Sequence, residues 1–484
     1  MRSATATSAP AVLSWRRVLH WLGYYSAALL PLAFYMLLAH IRWRPAASAE
    51  SIIPVSVLLL NQSVWVFPVV IASIDFAGIL WFGPPHDRRP GDDWQWSPDA
   101  TLIISYVSRG NNQETLWRAA SQTQGVLDSL AVRYLIEFVT DIEIAAEYRL
   151  ERTSGEVLYY IVPAEYVTSR GTRFKARALQ FLLEQRTARL GGVEDKENIW
   201  VLHLDEESFV TPESVLGIHK FMARYDLRQT QGVIGQGEIL YNACRYGQAP
   251  VIEAIDAMRP GADLGRFRIQ YRLWHAPVFG THGSFILAPA RLERGITWDV
   301  GGYGAITEDA YFGLIAMERG IQFDWVEGFI REQSPFSLRD LIQQRRRWFC
   351  GLMHITRDPN FQARTTFLLR LCLVFWELSI FGCTASLFFL GKRLLAAGTG
   401  TVPHWLTLVI ALCGGFFSSM YVVGAYRNVL HAQLSTPRKI FSVLFTFVAW
   451  LVLIPWIAES LAVVFALVRP VKHFHIVQKD MSAA

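Results

Sequence analysis

The sequence predicts an α/β domain with a largely parallel sheet, set between transmembrane helices. Three observations lead there. Long apolar runs are confined to the two ends of the chain, short apolar strands alternate with amphipathic stretches between them, and acidic residues sit just past a strand end. The 484 residues are 52% hydrophobic and only 18% charged, with a mean hydropathy of +0.24. Soluble globular chains carry about 25% charged residues, so this composition points to membrane. The net charge of +5 is mild, and the basic residues gather beside apolar runs as membrane flanks do, which argues against a nucleic-acid partner. Of the five cysteines, Cys372, Cys383 and Cys413 lie in apolar stretches. No zinc-site spacing is present, so they read as reduced or buried thiols without a disulfide framework.

A hydrocarbon core of about 30 Å takes about 20 helical residues to cross. Residues 18–39 qualify, flanked by Arg16, Arg17, Arg42 and Arg44. The run is too long for a signal-peptide core and no small-residue cleavage site follows, so it reads as an anchor. Residues 57–82 form the second candidate, closed by Gly83-Pro84-Pro85, and 368–390, 405–425 and 440–468 are the later ones. The expected division is therefore a helical segment over 1–90, an α/β domain over 91–350 and further membrane or interfacial helices over 351–484. Asp75, Glu377 and Glu459 lie inside these runs, where a carboxylate is costly and is either satisfied within the bundle or functional.

The intervening stretch of about 270 residues is long enough for one complete domain. Residues 102–107 read as a strand, 114–130 as a helix, 134–139 as a strand running toward Asp141, 175–184 as a helix and 200–204 as a short buried strand. Strands alternating with helices imply crossover units and a mostly parallel sheet, whose ligands sit beyond the carboxyl ends of the strands.

The strand ending at Leu204 runs directly into Asp205-Glu206-Glu207. If the backbone stays extended, Asp205 and Glu207 point the same way and can grip one hard cation, Mg²⁺ or Mn²⁺, while Glu206 faces elsewhere. Thr211-Pro212-Glu213 then opens a helix, Thr as cap and Pro in the first turn. An isolated acid pair is more often a solvated loop; the position at a strand end favours a site. Thr307-Glu308-Asp309 opens another helix, where an acid can simply serve the helix dipole or, as Asp309 would, take a proton from an attacking hydroxyl. In Gln343-Gln344-Arg345-Arg346-Arg347-Trp348, helical spacing puts Gln344, Arg347 and Trp348 on one face and turns Arg345 and Arg346 away. An Arg fork suits a diphosphate and an indole suits a sugar ring, although Arg and Trp also favour the headgroup zone of a membrane.

Together these residues resemble the family-2 glycosyltransferases that include cellulose and hyaluronan synthases. The matches are Asp141, Lys175 in Phe174-Lys175-Ala176-Arg177-Ala178-Leu179, Asp205 with Glu207, Thr307-Glu308-Asp309, and Gln344 to Trp348, in the family's order. Val107-Ser108-Arg109-Gly110, His203-Leu204-Asp205-Glu206-Glu207, Pro277 to Ser284 and Gln343 to Gly351 carry a closer likeness to the Egghead-type β-1,4-mannosyltransferases. The resemblance implies a GT-A fold and an inverting enzyme that uses GDP-mannose and a glycolipid or other lipid-linked acceptor. It assigns Asp141, with Arg109 and Lys175, to the donor nucleotide and Asp205 and Glu207 to a metal. Asp309 becomes the general base, and Gln344, Arg347, Trp348, Glu308 and His282 serve the diphosphate and acceptor. The terminal residues 474–479 are similar to a gating motif of cellulose synthases but carry Ile476 and Val477 where that motif has Val and Thr.

Two alternatives stay open at this point. One is a processive polysaccharide synthase using a UDP-sugar, separable by product size; the other is a catalytically silent sugar-binding scaffold, separable by donor hydrolysis. Cytosolic nucleotide sugars place the soluble domain and amino terminus inside, and three later crossings would then send residues 474–479 outside. Residues 440–468 are the segment expected not to cross, since Pro455 and Glu459 interrupt it.

Overall fold

The computed structural model describes residues 15–40, 63–97, 99–195, 197–228, 230–394 and 404–471. Residues 57–62 of the second apolar run, and the 474–479 segment, lie outside the described residues.

The first run forms α1 (Trp15–His40), and the described part of the second forms α2 (Pro68–Phe82). The α/β domain follows: β1 (Ala100–Val107), α3 (Gln113–Ser129), β2 (Tyr134–Thr140), β3 (Glu156–Ile161), α4 (Phe174–Leu190), β4 (Asn198–Asp205) and α5 (Pro212–Arg224). These are the elements the apolar pattern anticipated, with β3 in addition. Thr211 caps α5 as expected: its hydroxyl accepts from Ser214 N at 3.2 Å while Ser214 Oγ accepts from Thr211 N at 2.9 Å.

The strands assemble as one seven-stranded sheet in the order β3-β2-β1-β4-β6-β5-β7, completed by β5 (Ile234–Leu240), β6 (Ile286–Pro289) and β7 (Phe323–Arg331). Only β6 runs antiparallel to its neighbours; the other pairings are parallel. Both sheet faces are covered, one by Leu179, Leu182, Trp298 and Phe312, the other by Leu116, Val215, Ile218 and Phe221. That is why β1, β2 and β4 read as mostly apolar runs with no in–out alternation, interrupted only by single buried polar residues such as Ser105, Glu137 and His203. Val107 lies opposite both Val139 and Asp205, so β1, β2 and β4 end level, and the segments leaving them emerge along one edge.

Between β5 and β6 the chain makes α6 (Pro250–Asp256), α7 (Met258–Ala262), a π-helical turn (Asp263–Phe267) and α8 (Arg268–Arg272). Next come α9 (Glu308–Glu318), between β6 and β7, and α10 (Leu338–Ile355), followed by α11 (Phe367–Leu394) and α12 (His404–His431). The chain's last described helices are α13 (Thr436–Leu451) and α14 (Ile454–Val468). Among the described residues two helices, Arg17–Ala39 and Trp405–His431, are long and apolar enough to cross a membrane. The run expected over 440–468 is broken: α13 and α14 meet at 59°, with Leu453 in the left-handed region and Pro455 in the first turn of α14. Pro is accommodated there because its missing N–H would have no helical partner.

The apolar helices are joined to the α/β domain, with α1 packed on α12. Ser419 Oγ donates to Ala28 O at 2.6 Å, and Tyr426 OH to His20 O at 3.2 Å. Gly424 on α12 lies so close to the Ala257 carbonyl that a methyl group there has no room.

Candidate active site

A cavity of about 450 Å³ opens at the carboxyl edge of the sheet, lined by residues from β1, β4, α4, the π-turn, the 279–284 loop, the start of α9, α10 and α11. The sequence-predicted site residues Arg109, Asp141, Lys175, Asp205, Glu207, His282, Glu308, Asp309, Gln344, Arg347 and Trp348 all line it.

Lys175, in the first turn of α4, reaches across to the end of β4. Its Nζ donates to the Asp205 carboxylate, stands 3.4 Å from Glu308 Oε1 and 3.4 Å from the carbonyl of Gly283. Burial works against the ammonium charge, but Asp205 and Glu308 outweigh it and raise the Lys175 pKa. A side chain built on Gly283 would place its Cβ 3.1 Å from Asp309 Oδ2, 3.3 Å from Lys175 Nζ and 3.6 Å from Asp205 Oδ2. The three charged groups therefore converge on one backbone position, which glycine alone leaves clear.

Asp309 is held by its backbone: Thr281 Oγ1 donates to its carbonyl at 2.6 Å, and its own Oδ1 accepts from Ala310 N at 2.8 Å. Burial raises its pKa, with Lys175 pulling the other way. The neighbouring Glu308 is lifted to about 7 by burial against the pull of Lys175, with Asp309 adding to the rise. A carboxyl group with raised pKa in a cleft is suited to proton transfer near neutral pH.

The acidic turn differs from the sequence expectation in one respect. Extended backbone stops at Asp205, and the chain turns through Glu206-Glu207, closed by Ser208 N donating to Asp205 O at 3.0 Å. Glu206 is drawn toward β1, where it accepts from Ser108 Oγ and, at 2.6 Å, from Asn112 Nδ2. Glu207 lies on the cavity wall through the turn, so the two-residue alternation of a strand is not what carries it there. Among the described residues no three His, Cys, Asp or Glu side chains form a ready-made metal cage. Mg²⁺ and Mn²⁺ held for phosphate chemistry need only one or two carboxylates, the rest of the shell being water and phosphate. Asp205 and Glu207 fit that donor set, and a cation, the Lys175 ammonium, already sits on Asp205.

At the far side of β1, Asp141 pairs with Arg109 Nε and with Arg177, each at 3.4 Å. On α10, Gln344 is buried and its Oε1 has no hydrogen-bond partner among the described residues; burial lowers the Arg347 pKa. Two guanidinium groups lie over the Trp348 ring, Arg345 at 4.4 Å and Arg259 at 5.0 Å from its centroid. Arg345 and Arg346 are not on the cavity wall, but Arg345 is fully buried and lies over Trp348, from which the expected facing had turned it away. It donates to Asp256 at 2.7 Å and to Glu459 of α14 at 3.0 Å.

Several site residues carried no sequence signal. Gln236 of β5 brackets His282, its amide accepting from His282 N and donating to His282 O, both at 3.1 Å. Glu332 accepts from Arg259 at 3.3 Å, and burial lifts it to about 7 against Arg259. Asp263 takes His282 at 2.6 Å, and Asp75 on α2, the one of this group that the sequence does single out as a carboxylate in an apolar run, takes Arg266 of the π-turn at 2.6 Å. All gain their meaning from partners remote in sequence, which no local pattern reveals.

Residues 200–468, more than half of the chain and including β4, α9 and α10, match the family described as Glycosyl transferase family group 2. The chain belongs to that family. This glycosyltransferase is 30% identical over 384 residues to the β-1,4-mannosyltransferase egh of Drosophila melanogaster, spanning 78% of each chain. It is 29% identical over 356 residues to the β-1,4-mannosyltransferase bre-3 of Caenorhabditis elegans, covering 72% of this chain and 71% of that one. Among solved structures it is similar to the mannosyltransferase PcManGT of Pyrobaculum calidifontis in complex with GDP-Man and Mn²⁺. That similarity has 12% identity and a TM-score of 0.40 over 83% of this chain and 98% of the other, too loose a superposition to assign chemistry. The glycosyltransferase domain is of the GT-A type, a mostly parallel α/β sheet with its acidic turn at the carboxyl edge.

Proposed function

We propose that this glycosyltransferase moves mannose from GDP-mannose, with inversion, onto a hydroxyl of a glycolipid or other lipid-linked acceptor at a membrane surface. Relatives named as β-1,4-mannosyltransferases over about three quarters of the chain support the sugar and the linkage. The observation that carries the chemistry is the convergence of Asp309, Lys175 and Asp205 on Gly283.

In this reading Asp309 accepts the proton of the acceptor hydroxyl as that oxygen attacks the anomeric carbon. The nucleoside diphosphate departs on the opposite face, its growing charge met by Lys175 and Arg347, so an α-linked donor gives a β-glycoside. Asp205 and Glu207 would hold a divalent cation, Mg²⁺ or Mn²⁺, which when bound supplies charge neutralisation at the diphosphate. Asp141 and Arg109 serve the nucleobase end of the donor. Gln344 and Trp348, with Glu308 and His282, border the acceptor, and the cavity wall beyond them is apolar: Leu369, Cys372, Leu373 and Trp376 of α11. A wall of that chemistry suits a lipid chain entering from the bilayer.

The chain is then a multi-pass membrane protein divided as 1–90, 91–350 and 351–484, with the catalytic domain on the cytosolic side where nucleotide sugars are made. The test is to incubate the purified full chain with a panel of nucleotide sugars and Mn²⁺, reading which donor is consumed and how long the product is. Consumption of GDP-mannose with addition of one sugar supports the proposal. A ladder of products from a UDP-hexose would replace it with a polysaccharide synthase, and no donor consumption at all would leave a sugar-binding scaffold.

A further inference from the structure

Among the described residues His282 is the one imidazole on the cavity wall, and its surroundings fix it from three sides. Its backbone is clamped by the Gln236 amide. Its ring lies against Phe267, centroids 4.3 Å apart. Its Nε2 meets Asp263 Oδ1 at 2.6 Å, and Asp263 is 1% exposed. A carboxylate can only accept, so the proton of a neutral imidazole resides on Nε2 and Nδ1 keeps its lone pair. Among the described residues no hydrogen bond is seen to Nδ1, and the side chain retains 20% exposure toward the cavity.

Asp263 is itself set by the fold. Its other oxygen, Oδ2, accepts from the backbone N–H of Ile239 at 3.0 Å, so both oxygens have assigned partners. It opens the π-turn, which is kinked at Gly265, whose backbone (φ −88°, ψ −113°) is not helical. The short apolar helix α2 pins that turn: Asp75 Oδ1 accepts from Arg266 N at 3.0 Å, and Oδ2 from the Arg266 guanidinium at 2.6 Å. Gly265 packs so closely on Asp75 that a Cβ there would lie 2.6 Å from Oδ1. The carboxylate that stood out within an apolar run thus anchors the segment that aims His282.

His282 also sits at the junction of the catalytic groups. Thr281 before it holds the Asp309 carbonyl, and the carbonyl of Gly283 after it accepts from Lys175.

We propose that Asp263 is a positioning residue that fixes His282 as the Nε2–H tautomer, so that Nδ1 faces the cavity and accepts a hydrogen bond from an acceptor hydroxyl. This rests on Asp309 being the base, as proposed above. The arrangement orients a sugar hydroxyl that can bridge His282 and Asp309. A water molecule reaching Asp309 has no need of His282, so the pair favours transfer over hydrolysis of the donor.

The decisive variant is Asp263→Asn. Its shape is unchanged, but Ile239 N–H requires an acceptor, which turns the amide oxygen to Ile239 and the NH₂ to His282. Nε2 must then accept, and the proton moves to Nδ1, which becomes a donor. Full-length protein labelled with ¹⁵N in its histidine rings reports the tautomer directly, with His282→Gln identifying the signal. In parallel, release of GDP from GDP-mannose is followed with and without dodecyl β-glucoside as acceptor probe. The expected results are an Nε2–H imidazole in the native chain and Nδ1–H in D263N. The acceptor KM should rise about tenfold in D263N and in H282Q and no further in the double variant, and D263N should lose transfer in greater measure than hydrolysis. An Nδ1–H or doubly protonated ring in the native chain overturns the proposal whatever the activity. So does D263N losing hydrolysis and transfer in equal measure, or retaining the native acceptor KM. If the native chain consumes no GDP-mannose, the proposed function fails, and the tautomer measurement still decides the role of Asp263.

Discussion

Lys175 Nζ is bonded to the Asp205 carboxylate and stands 3.4 Å from Glu308 Oε1, so one ammonium neutralises acids from β4 and from the start of α9. Replacing it by Met keeps the length of the stem and removes the charge. Asp205, Glu308 and Asp309 then face one another without it, and the departing diphosphate loses a counter-charge. Loss of one preorganised electrostatic group costs about 100- to 1,000-fold in turnover. Lys175→Met is expected to lose at least the lower figure and to raise the donor KM, read from GDP release at varied donor concentration. Native kinetics in this variant would reduce Lys175 to a packing role.

Asp309→Asn separates binding from chemistry. The amide is the same size and keeps an oxygen for Ala310 N–H, so the start of α9 holds its shape. It cannot accept the acceptor's proton at neutral pH. Turnover is expected to fall by about 10²- to 10⁴-fold, while the affinity for GDP, measured by calorimetry, stays within about twofold. Near-native turnover would move the base elsewhere, with Glu308 the nearest candidate.

Asp205 is legible in the sequence for a physical reason, whereas Lys175 stands out only through the motif that resembles the family's and Asp309 as an acid opening a helix. Strands β1, β2 and β4 are buried on both faces, so their composition announces them, and the acids follow immediately after. Strand β5, next to the β7 edge, gives no such signal: Ile234-Gly235-Gln236-Gly237-Glu238-Ile239-Leu240 holds two glycines and two buried polar side chains. Glu238 is satisfied by Arg427 of α12 at 2.6 Å, and Gln236 by Tyr271 at 2.5 Å, partners that only the tertiary fold supplies. The same holds for Asp263; Asp75 does stand out in the sequence as a carboxylate within an apolar run, but its partner Arg266 does not. Glu207 shows the reverse error: it stands on the cavity wall, but the backbone turns where an extended strand was assumed.

Arg345 ties the α/β domain to the broken helix pair. With no exposed surface it binds Asp256 of α6 and Glu459 of α14, and its guanidinium covers the Trp348 ring. Arg345→Ala leaves Glu459 buried without its cation and Asp256 with Arg259 alone, at 3.7 Å, which costs about 3–5 kcal/mol. Glu459→Gln, which keeps an acceptor oxygen, should cost far less. Thermal unfolding in detergent micelles checks both. A small effect from Arg345→Ala would mean that Asp256 and Glu459 find water or each other.

Glu332 makes stability depend on pH. Its folded pKa of about 7 lies above the ordinary 4.5 because burial outweighs Arg259. Between those values the folded chain keeps a proton that the unfolded chain has released, so this contribution is whole below about 4.5 and is lost as pH rises through about 7. Glu332→Gln removes the dependence while still accepting from Arg259. Relative to the native chain its melting temperature should rise between about pH 5 and about pH 8. A difference that stays flat across that range would place the Glu332 proton elsewhere.

Gly283→Ala tests the convergence itself. The added methyl would sit 3.1 Å from Asp309 Oδ2 and 3.3 Å from Lys175 Nζ, nearer than comfortable contact but against the free ends of two side chains. Those ends can withdraw by a few tenths of an ångström without disturbing the sheet, so folding should survive. Catalysis should not, because the carboxylate that takes the proton and the ammonium that meets the diphosphate are the groups displaced. Misplacement of reacting groups on that scale costs up to about 100-fold. The expected outcome is a native melting temperature with turnover reduced at least tenfold, and a further loss in Gly283→Val. If Gly283→Ala keeps full activity, the approach of Asp309 and Lys175 to this position is not the geometry in which the enzyme works.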